Sequence, residues 1–474
     1  MLTHFINGRP AVRASEDTLE LVAPATGEAF GSAPVAAAAT VDEAFAAAKA
    51  AGPQWARQSP GRRSAALLRL AEALERHGGE LTELECRDTG KPPHFWAAAE
   101  LAHCVDVLKF TAGAARVLPG TVAGDYLPGM TSWLRRDPVG VVTAIVPWNF
   151  PLMMAIWKIA PILAVGNTCV LKPAPQTPHT AVRLAQLADE AGIPPGVLNV
   201  LCGDGRTGRL MAAHPDADMI AFTGSVATGR QIAAVAAEGL VRTHLELGGK
   251  APAVVLGDLA ADPAGLSWRV DRIREAALFN AGQSCTSAAR VIAVAEVYDD
   301  VVEHLAASAA KTSVGPGGDY GALISREHLE RVHGFVERRP PHTRVVTGGR
   351  RIGEEGFFYA PTVIAGVRAD DELAQEEVFG PVVTVQRAED EADAIRLANS
   401  TRYALAASVW TADHGSALRA VRRLAAGDTW VNTHGFQVCE MPHGGRGASG
   451  HGSDLSVQSL LDYTHPVHVA SVWE

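Results

Sequence analysis

The sequence predicts an α/β protein of two doubly wound, parallel-sheet domains with a small β arm. Three observations carry that prediction. Short apolar runs alternate with stretches of helical spacing, the alternation restarts midway along the chain, and two segments fit neither half. At 474 residues the chain is also too long for one ordinary hydrophobic core.

The chain opens with helical spacing over 41–51 and 62–87, where Leu67, Leu70, Ala71 and Leu74 share a face and Thr40 is the expected N-cap of the first stretch. VGVVTAIVP (139–147) is almost continuously apolar, the mark of a strand buried on both sides. There follow a helix from Leu152, strand 168–173, helix 178–191, strand 197–203, helix 206–213 and strand 219–224. Strands separated by helices of this length pair in parallel. The pattern restarts after LELGGKAP (245–252) with strand 251–257, helix 267–280, strand 290–297 and helix 299–311, giving a second unit that runs to about 445. The expected division is 1–120 with 139–246 for the first domain and 247–445 for the second. Segments 121–138 and 455–474 make an oligomerisation arm, the alternating tail being expected to pair with another chain's edge.

Composition narrows the function. A net charge of −10 argues against a nucleic-acid partner, because phosphate binding needs a basic face. The most apolar stretch, Leu152 to Val165, is broken by Lys158 and Pro161, and the N-terminus carries no basic-then-apolar leader, so no membrane segment is expected. The six cysteines are scattered without a CxxC pair. They read as reduced thiols of a cytoplasmic protein, with no metal site.

A few residues can carry chemistry. Cys285, in FNAGQSCTSAARV between a helix and a strand, is either an inert core thiol or a nucleophile presented to a cleft beside backbone amides that bind an oxyanion. Glu246, in HLELGGKAP, is either a salt-bridged strand-end residue or a general base brought towards neutrality by burial. Asn149, in VPWNFP, is either a turn residue or an oxyanion donor at a strand's carboxyl end, where open α/β sheets bind ligands. Gly224 and Gly229, in FTGSVATG, let backbone approach a pyrophosphate at a helix start. Their spacing matches neither GxGxxG nor a phosphate loop. Lys172 can reach a ribose or phosphate, or be merely solvated. Glu377, in EEVFGPV, is an acid among apolar residues or a surface carboxylate.

Taken together, VPWNFP, LKPAPQTP, FTGSVATG, LELGGKAP, GQSC, EEVFGPV, WVN and SGHG resemble the aldehyde dehydrogenase superfamily in order and spacing over essentially the whole chain. The resemblance implies a Rossmann-like cofactor domain, a catalytic domain, and NAD as cofactor with NADP tolerated. It implies that Cys285 attacks an aldehyde, that Asn149 and the Cys285 amide hold the oxyanion, and that Glu246 activates water to hydrolyse the thioester. It further assigns the cofactor to Ile145, Pro147, Trp148, Lys172, Gly208, Phe222, Gly224, Ser225, Gly229, Leu247, Gly248, Glu377 and Phe379. Many NAD-preferring members carry Glu three residues after the lysine, where this chain has Pro175; without that carboxylate a 2′-phosphate is not repelled.

Within the superfamily, segments 105–116, 131–142, 147–158 and 430–445 resemble the bacterial γ-aminobutyraldehyde dehydrogenases, kin of the betaine aldehyde dehydrogenases. The implied reaction is 4-aminobutanal to 4-aminobutanoate in putrescine or polyamine breakdown, by a homotetramer or homodimer. The alternatives are betaine aldehyde or another ω-aminoaldehyde, a coenzyme A-acylating relative, and a catalytically silent cofactor-binding relative. An ammonium-bearing substrate calls for π-faces or carboxylates. Phe150, Trp157, Phe279 and His443 are the expected tunnel residues, with Asp106 and Glu440 pairing the amine. Segments 312–325 and 337–343 are shorter than usual for the family and are expected to be trimmed surface loops remote from the chemistry.

Overall fold

Five parallel strands form the centre of the first sheet, in the order Leu198–Val200, Thr168–Lys172, Val141–Ile145, Met219–Gly224, Arg242–Leu247. In chain order that is 3-2-1-4-5, so the sheet reverses direction between Val141–Ile145 and Met219–Gly224. At such a reversal the connections leave to opposite faces and a crevice opens beyond the strands' carboxyl ends. The near-continuous apolar character of 139–147 reflects this central place, for all five residues of Val141–Ile145 are buried. His4–Ile6 with Arg9–Ala11 closes one edge in antiparallel sense, and Gly450–His451 closes the other. This is a computed structural model that describes residues 1–13 and 16–473.

The second sheet orders its strands Arg344–Thr347, Thr362–Ala365, Val382–Ala388, Arg290–Val294, Pro252–Val255, Ala406–Trp410, Asp428–Val431, all parallel except the first. Each sheet has its own buried apolar core. The two sheets are joined through 248–251. There an added Cβ on Gly249 would meet the Cys285 carbonyl at 2.5 Å, and one on Gly248 would meet a Glu377 carboxylate oxygen at 2.2 Å. The carboxyl ends of the first sheet therefore face segments that are about to enter the second. Among the described residues no helix is long and apolar enough to cross a membrane.

Three expectations are corrected. The first helix begins at Ala38, so Thr40 lies inside it, and its hydroxyl donates to Glu16 instead of capping. The helical run 62–87 is two helices, Pro60–Arg76 and Gly78–Thr89, parted at His77 ahead of the Gly78–Gly79 pair. The tail strand Thr464–Val472 pairs with its own chain: it runs antiparallel to Met130–Pro138, from Thr464 opposite Pro138 to Val472 opposite Met130. The two strands are each nine residues long, so a full-length partner lies within the chain. Gly124–Leu127 completes this three-stranded sheet, which leaves Tyr126, Leu127, Val472 and Trp473 exposed.

Candidate active site

A cavity of about 680 Å³ opens where the two sheets meet, lined by Glu246 and Leu247 from the first and by Ser284, Cys285 and Thr286 from the second. The backbone ahead of Cys285 is unusual. Asn280, Ala281 and Gly282 hold φ of 50°, 56° and 69° in succession. Side-chain-bearing residues rarely adopt this conformation, and it persists only where surroundings enforce it. Here the Asn280 amide donates to the carbonyls of Asn149 (3.0 Å) and Gln283 (3.2 Å), and a Cβ on Gly282 would strike the Gly380 carbonyl at 2.1 Å. The result is a tight elbow that turns the next residues, including Cys285, towards the cavity.

Asn149 is buried directly after the switch-point strand. Its Nδ2 donates to the Gln283 carbonyl at 3.1 Å, two residues from Cys285, which leaves the amide's second hydrogen available. Its side chain is not part of the cavity lining. Glu246, the last residue but one of the fifth strand, is 3% exposed, and neither of its oxygens accepts a hydrogen bond. Burial raises its pKa to about 8, against the pull of His443. Glycines crowd it: Gly450 pairs with it across the sheet, and a Cβ on Gly444 would approach its Oε1 to 3.1 Å. Beside it Lys158 and Asp454, both fully buried, form an ion pair at 2.8 Å, with His244 Nε2 3.3 Å from Asp454.

The four expected tunnel residues all line the cavity: Phe150, Trp157, Phe279 and His443. Phe150 and Phe279 stack at 5.8 Å, and Trp157 meets His443 edge-on at 5.4 Å. Asp106 and Glu440 do not line it; both are exposed. Asp106 stands one helical turn past His103, which does line the cavity, and accepts instead from the Cys439 thiol at 3.2 Å. The lining carboxylates are Glu100, Glu246, Glu275, Asp319 and Asp454, with Glu100 held by Lys91 at 2.8 Å. Segment 312–325 is likewise corrected. It contributes Thr312, Asp319 and Tyr320 to the cavity, and Ile324 donates its amide to the Gln283 side chain at 2.9 Å, so it is part of the wall.

The residues expected to take a dinucleotide gather around the switch point. Ser225 caps the helix Val226–Glu238 at the end of the fourth strand, leaving a helix start at the crevice. A Cβ on Gly208 would come within 3.7 Å of the Lys172 chain and 3.8 Å of Ile145. Lys172 is buried and donates to the Pro173 carbonyl, and desolvation lowers its pKa to about 8. Phe222, Gly229 and Leu247 pack against one another: a Cβ on Gly224 would strike the Phe222 ring and one on Gly229 the Leu247 side chain, each at 2.5 Å. Trp148, beside Pro147, meets Phe379 edge-on at 5.3 Å, and Phe379 holds φ of 60°. Glu377 accepts from the Gly249 amide at 2.9 Å, and burial raises its pKa to about 7. A cation, a helix start and a carboxylate along one crevice, with glycines where side chains would collide, fit a pyrophosphate flanked by two riboses.

Sequence reasoning missed His434, a lining residue whose Nε2 meets the Thr286 carbonyl at 2.6 Å, Asp428 and Gln437, which lie 2.5 and 2.8 Å from His443 Nδ1, and the Lys158–Asp454 pair. Lys158 did carry a signal, because a lysine amid an apolar helix requires a buried partner. The others come together only through the fold.

A two-sheet α/β protein with a nucleotide-type crevice, a thiol and a raised carboxyl at one cavity has the layout of a dehydrogenase. The aldehyde dehydrogenase family model matches residues 11–469, and the chain belongs to that family. It is 37% identical to a betaine aldehyde dehydrogenase of Vibrio vulnificus, over 97% of this chain and 96% of that one. A solved γ-glutamyl-γ-aminobutyraldehyde dehydrogenase of Burkholderia cenocepacia superposes with a TM-score of 0.96 at 39% identity, covering 99% and 96%. An aldehyde dehydrogenase of Bacillus cereus, solved as its NAD+ complex, superposes at 0.95 with 34% identity, covering 100% and 97%. The chain is thus an aldehyde-oxidising enzyme.

Proposed function

We propose that this enzyme oxidises an ω-aminoaldehyde, 4-aminobutanal foremost, to its acid with NAD, through a thioester on Cys285. The observation that carries the reading is the one cavity in which Cys285 and the Glu246 carboxyl, which accepts no hydrogen bond, meet aromatic rings, acids and the Arg272 and Arg274 side chains. Cys285 forms the bond to the aldehyde carbon. Its backbone amide and the free N–H of Asn149 steady the oxyanion, a contribution of roughly 10²–10³ in rate for such a donor. NAD, when bound, accepts the hydride. Glu246 then takes a proton from the water that attacks the thioester, a task suited to a base titrating near neutrality. Lys172 and Ser225 would hold the adenosine and pyrophosphate portion, and Glu377 with Phe379 the nicotinamide end. With Pro175 in place of a ribose carboxylate, NADP is tolerated.

The aminoaldehyde preference rests on the lining. Phe150, Trp157 and Phe279 offer π-faces and Asp319 offers charge for an ammonium, whereas Glu275 is paired with Arg272 at 2.9 Å. The three-stranded sheet with its exposed Tyr126, Leu127 and Trp473 is the surface through which the enzyme would assemble as a homotetramer or homodimer. The test is a kcat/KM panel over 4-aminobutanal, 3-aminopropanal, betaine aldehyde and butanal with each nucleotide. We expect 4-aminobutanal with NAD to lead, and Asp319→Asn to raise KM for it much more than for butanal. A best rate on betaine aldehyde would move the preference to the trimethylammonium, and equal values for 4-aminobutanal and butanal would remove the amine from recognition.

A further inference from the structure

The turn that carries Glu377 and Phe379 is built against its own backbone preference. Phe379 holds φ of 60°, a conformation that a side-chain-bearing residue keeps only where its surroundings enforce it. Those surroundings are one face of the helix Arg326–Glu337. Arg331, one helical turn past His328, donates to the carbonyls of both Glu377 (2.6 Å) and Val378, and the His328 ring meets the Phe379 carbonyl at 2.6 Å. A carbonyl only accepts, so Nε2 of His328 carries the proton there. Burial pushes the ring's pKa down to about 4, which keeps it neutral with its one proton on that nitrogen. Three successive carbonyls thus bind one helix face. On the same face, a Cβ added to Gly380 would strike the Val332 side chain at 2.6 Å.

The other side of the turn abuts the elbow that presents Cys285. Gly282 lies so near the Gly380 carbonyl that a Cβ there would meet it at 2.1 Å. The lead-in to the helix is tied to the same elbow. Ile324 donates its amide to the Gln283 side chain at 2.9 Å, and that side chain donates back to the Ala322 carbonyl at 3.4 Å. The turn is therefore clasped between the helix and the thiol's own backbone. Its side chains have other partners: the Glu377 carboxyl reaches the Gly249 amide at 2.9 Å, and the Phe379 ring meets Trp148 edge-on at 5.3 Å. We infer that the helix Arg326–Glu337 is a bracket that sets the nicotinamide end of the crevice in register with Cys285, with His328 and Arg331 as its positioning residues. They act through the backbone of 377–379, which aims the Glu377 carboxyl and the Phe379 ring at the cofactor. The inference rests on Glu377 being the ligand of the nicotinamide ribose.

The experiment is NAD binding by isothermal titration calorimetry, without aldehyde. It compares the wild type with Arg331→Met, His328→Leu, His328→Gln, Glu377→Ala and the double variant Arg331→Met with Glu377→Ala. Arg331 is exposed, so its replacement leaves the core closed. Loss of hydrogen bonds to the turn should raise the NAD Kd about tenfold in Arg331→Met and in His328→Leu. His328→Gln keeps a side-chain donor and should return Kd to within about threefold of wild type. In the Glu377→Ala background, Arg331→Met should cost less than about twofold, because its effect passes through a carboxyl that is already gone. A merely structural role would weaken both backgrounds alike, and that result would overturn the bracket. Equal losses in His328→Leu and His328→Gln would overturn it too. If Glu377→Ala binds NAD as the wild type does, the ribose assignment itself fails. If Glu377→Ala binds weakly while Arg331→Met binds normally, only the bracket fails.

Discussion

Glu246 and Asp454 are buried carboxylates that line the same cavity, yet they are held in opposite states. Asp454 sits against Lys158 at 2.8 Å and His244 at 3.3 Å. These partners overcome burial and hold it well below the usual carboxylate range. Glu246 accepts no hydrogen bond at either oxygen, and burial lifts it to about 8. The difference teaches that a satisfied acid is part of the framework, whereas one denied partners is kept available for a proton.

The comparison breaks first at Glu246. Glu246→Gln keeps the shape but cannot take a proton, and kcat should fall about 10³-fold, roughly 4 kcal/mol of barrier. Its stability at pH 7 should not fall and should rise, since the unfolded wild-type chain gains from ionising this carboxyl there whereas the folded one holds it neutral. A loss of several kcal/mol in the same variant would make Glu246 structural. Lys158→Met should do the reverse. Leaving Asp454 buried without its partner costs about 3 kcal/mol or more, read by chemical denaturation. An unchanged denaturation midpoint would show that the pair contributes nothing to the framework.

Only the Glu246 half of this contrast was legible in the sequence, and the limits are physical. LELGGKAP placed Glu246 at a strand end beside glycines, and FNAGQSC placed Cys285 between helix and strand, because both depend on local backbone. Parallel pairing followed from the alternating apolar runs, whereas the strand order, and with it the switch point, is set by the fold. The partners that set protonation lie far off in the chain: Lys158 pairs across to Asp454, and Asp428 reaches His443 from the start of the last strand of the second sheet. The amine-pairing acids went astray for the same reason. Asp106 has the right chemistry, but helical rotation and the cavity's extent put it outside. The wall built by 312–325 was hidden too, since length alone does not say which surface a loop covers.

A smaller effect sharpens the contrast through pH. The base form of Glu246 is the active one, so hydrolysis of the thioester should rise about tenfold per pH unit until near pH 8 and then level. Stability runs the other way. The folded pKa lies above the unfolded value, so the favourable contribution of the neutral acid is full below the ordinary carboxylate range, is lost as pH rises from there to about 8, and is constant above. The advantage of Glu246→Gln in stability over wild type should therefore grow through this window and level off above about pH 8. A flat rate profile across this window would contradict the raised carboxyl.

The most direct measurement is to mix Glu246→Gln with NAD and aldehyde, quench in acid, and weigh the protein. The account predicts one rapid turnover of NADH and a stable acyl adduct on the peptide carrying Cys285. Rapid, continuing turnover without an adduct, or an adduct on another residue, would contradict it.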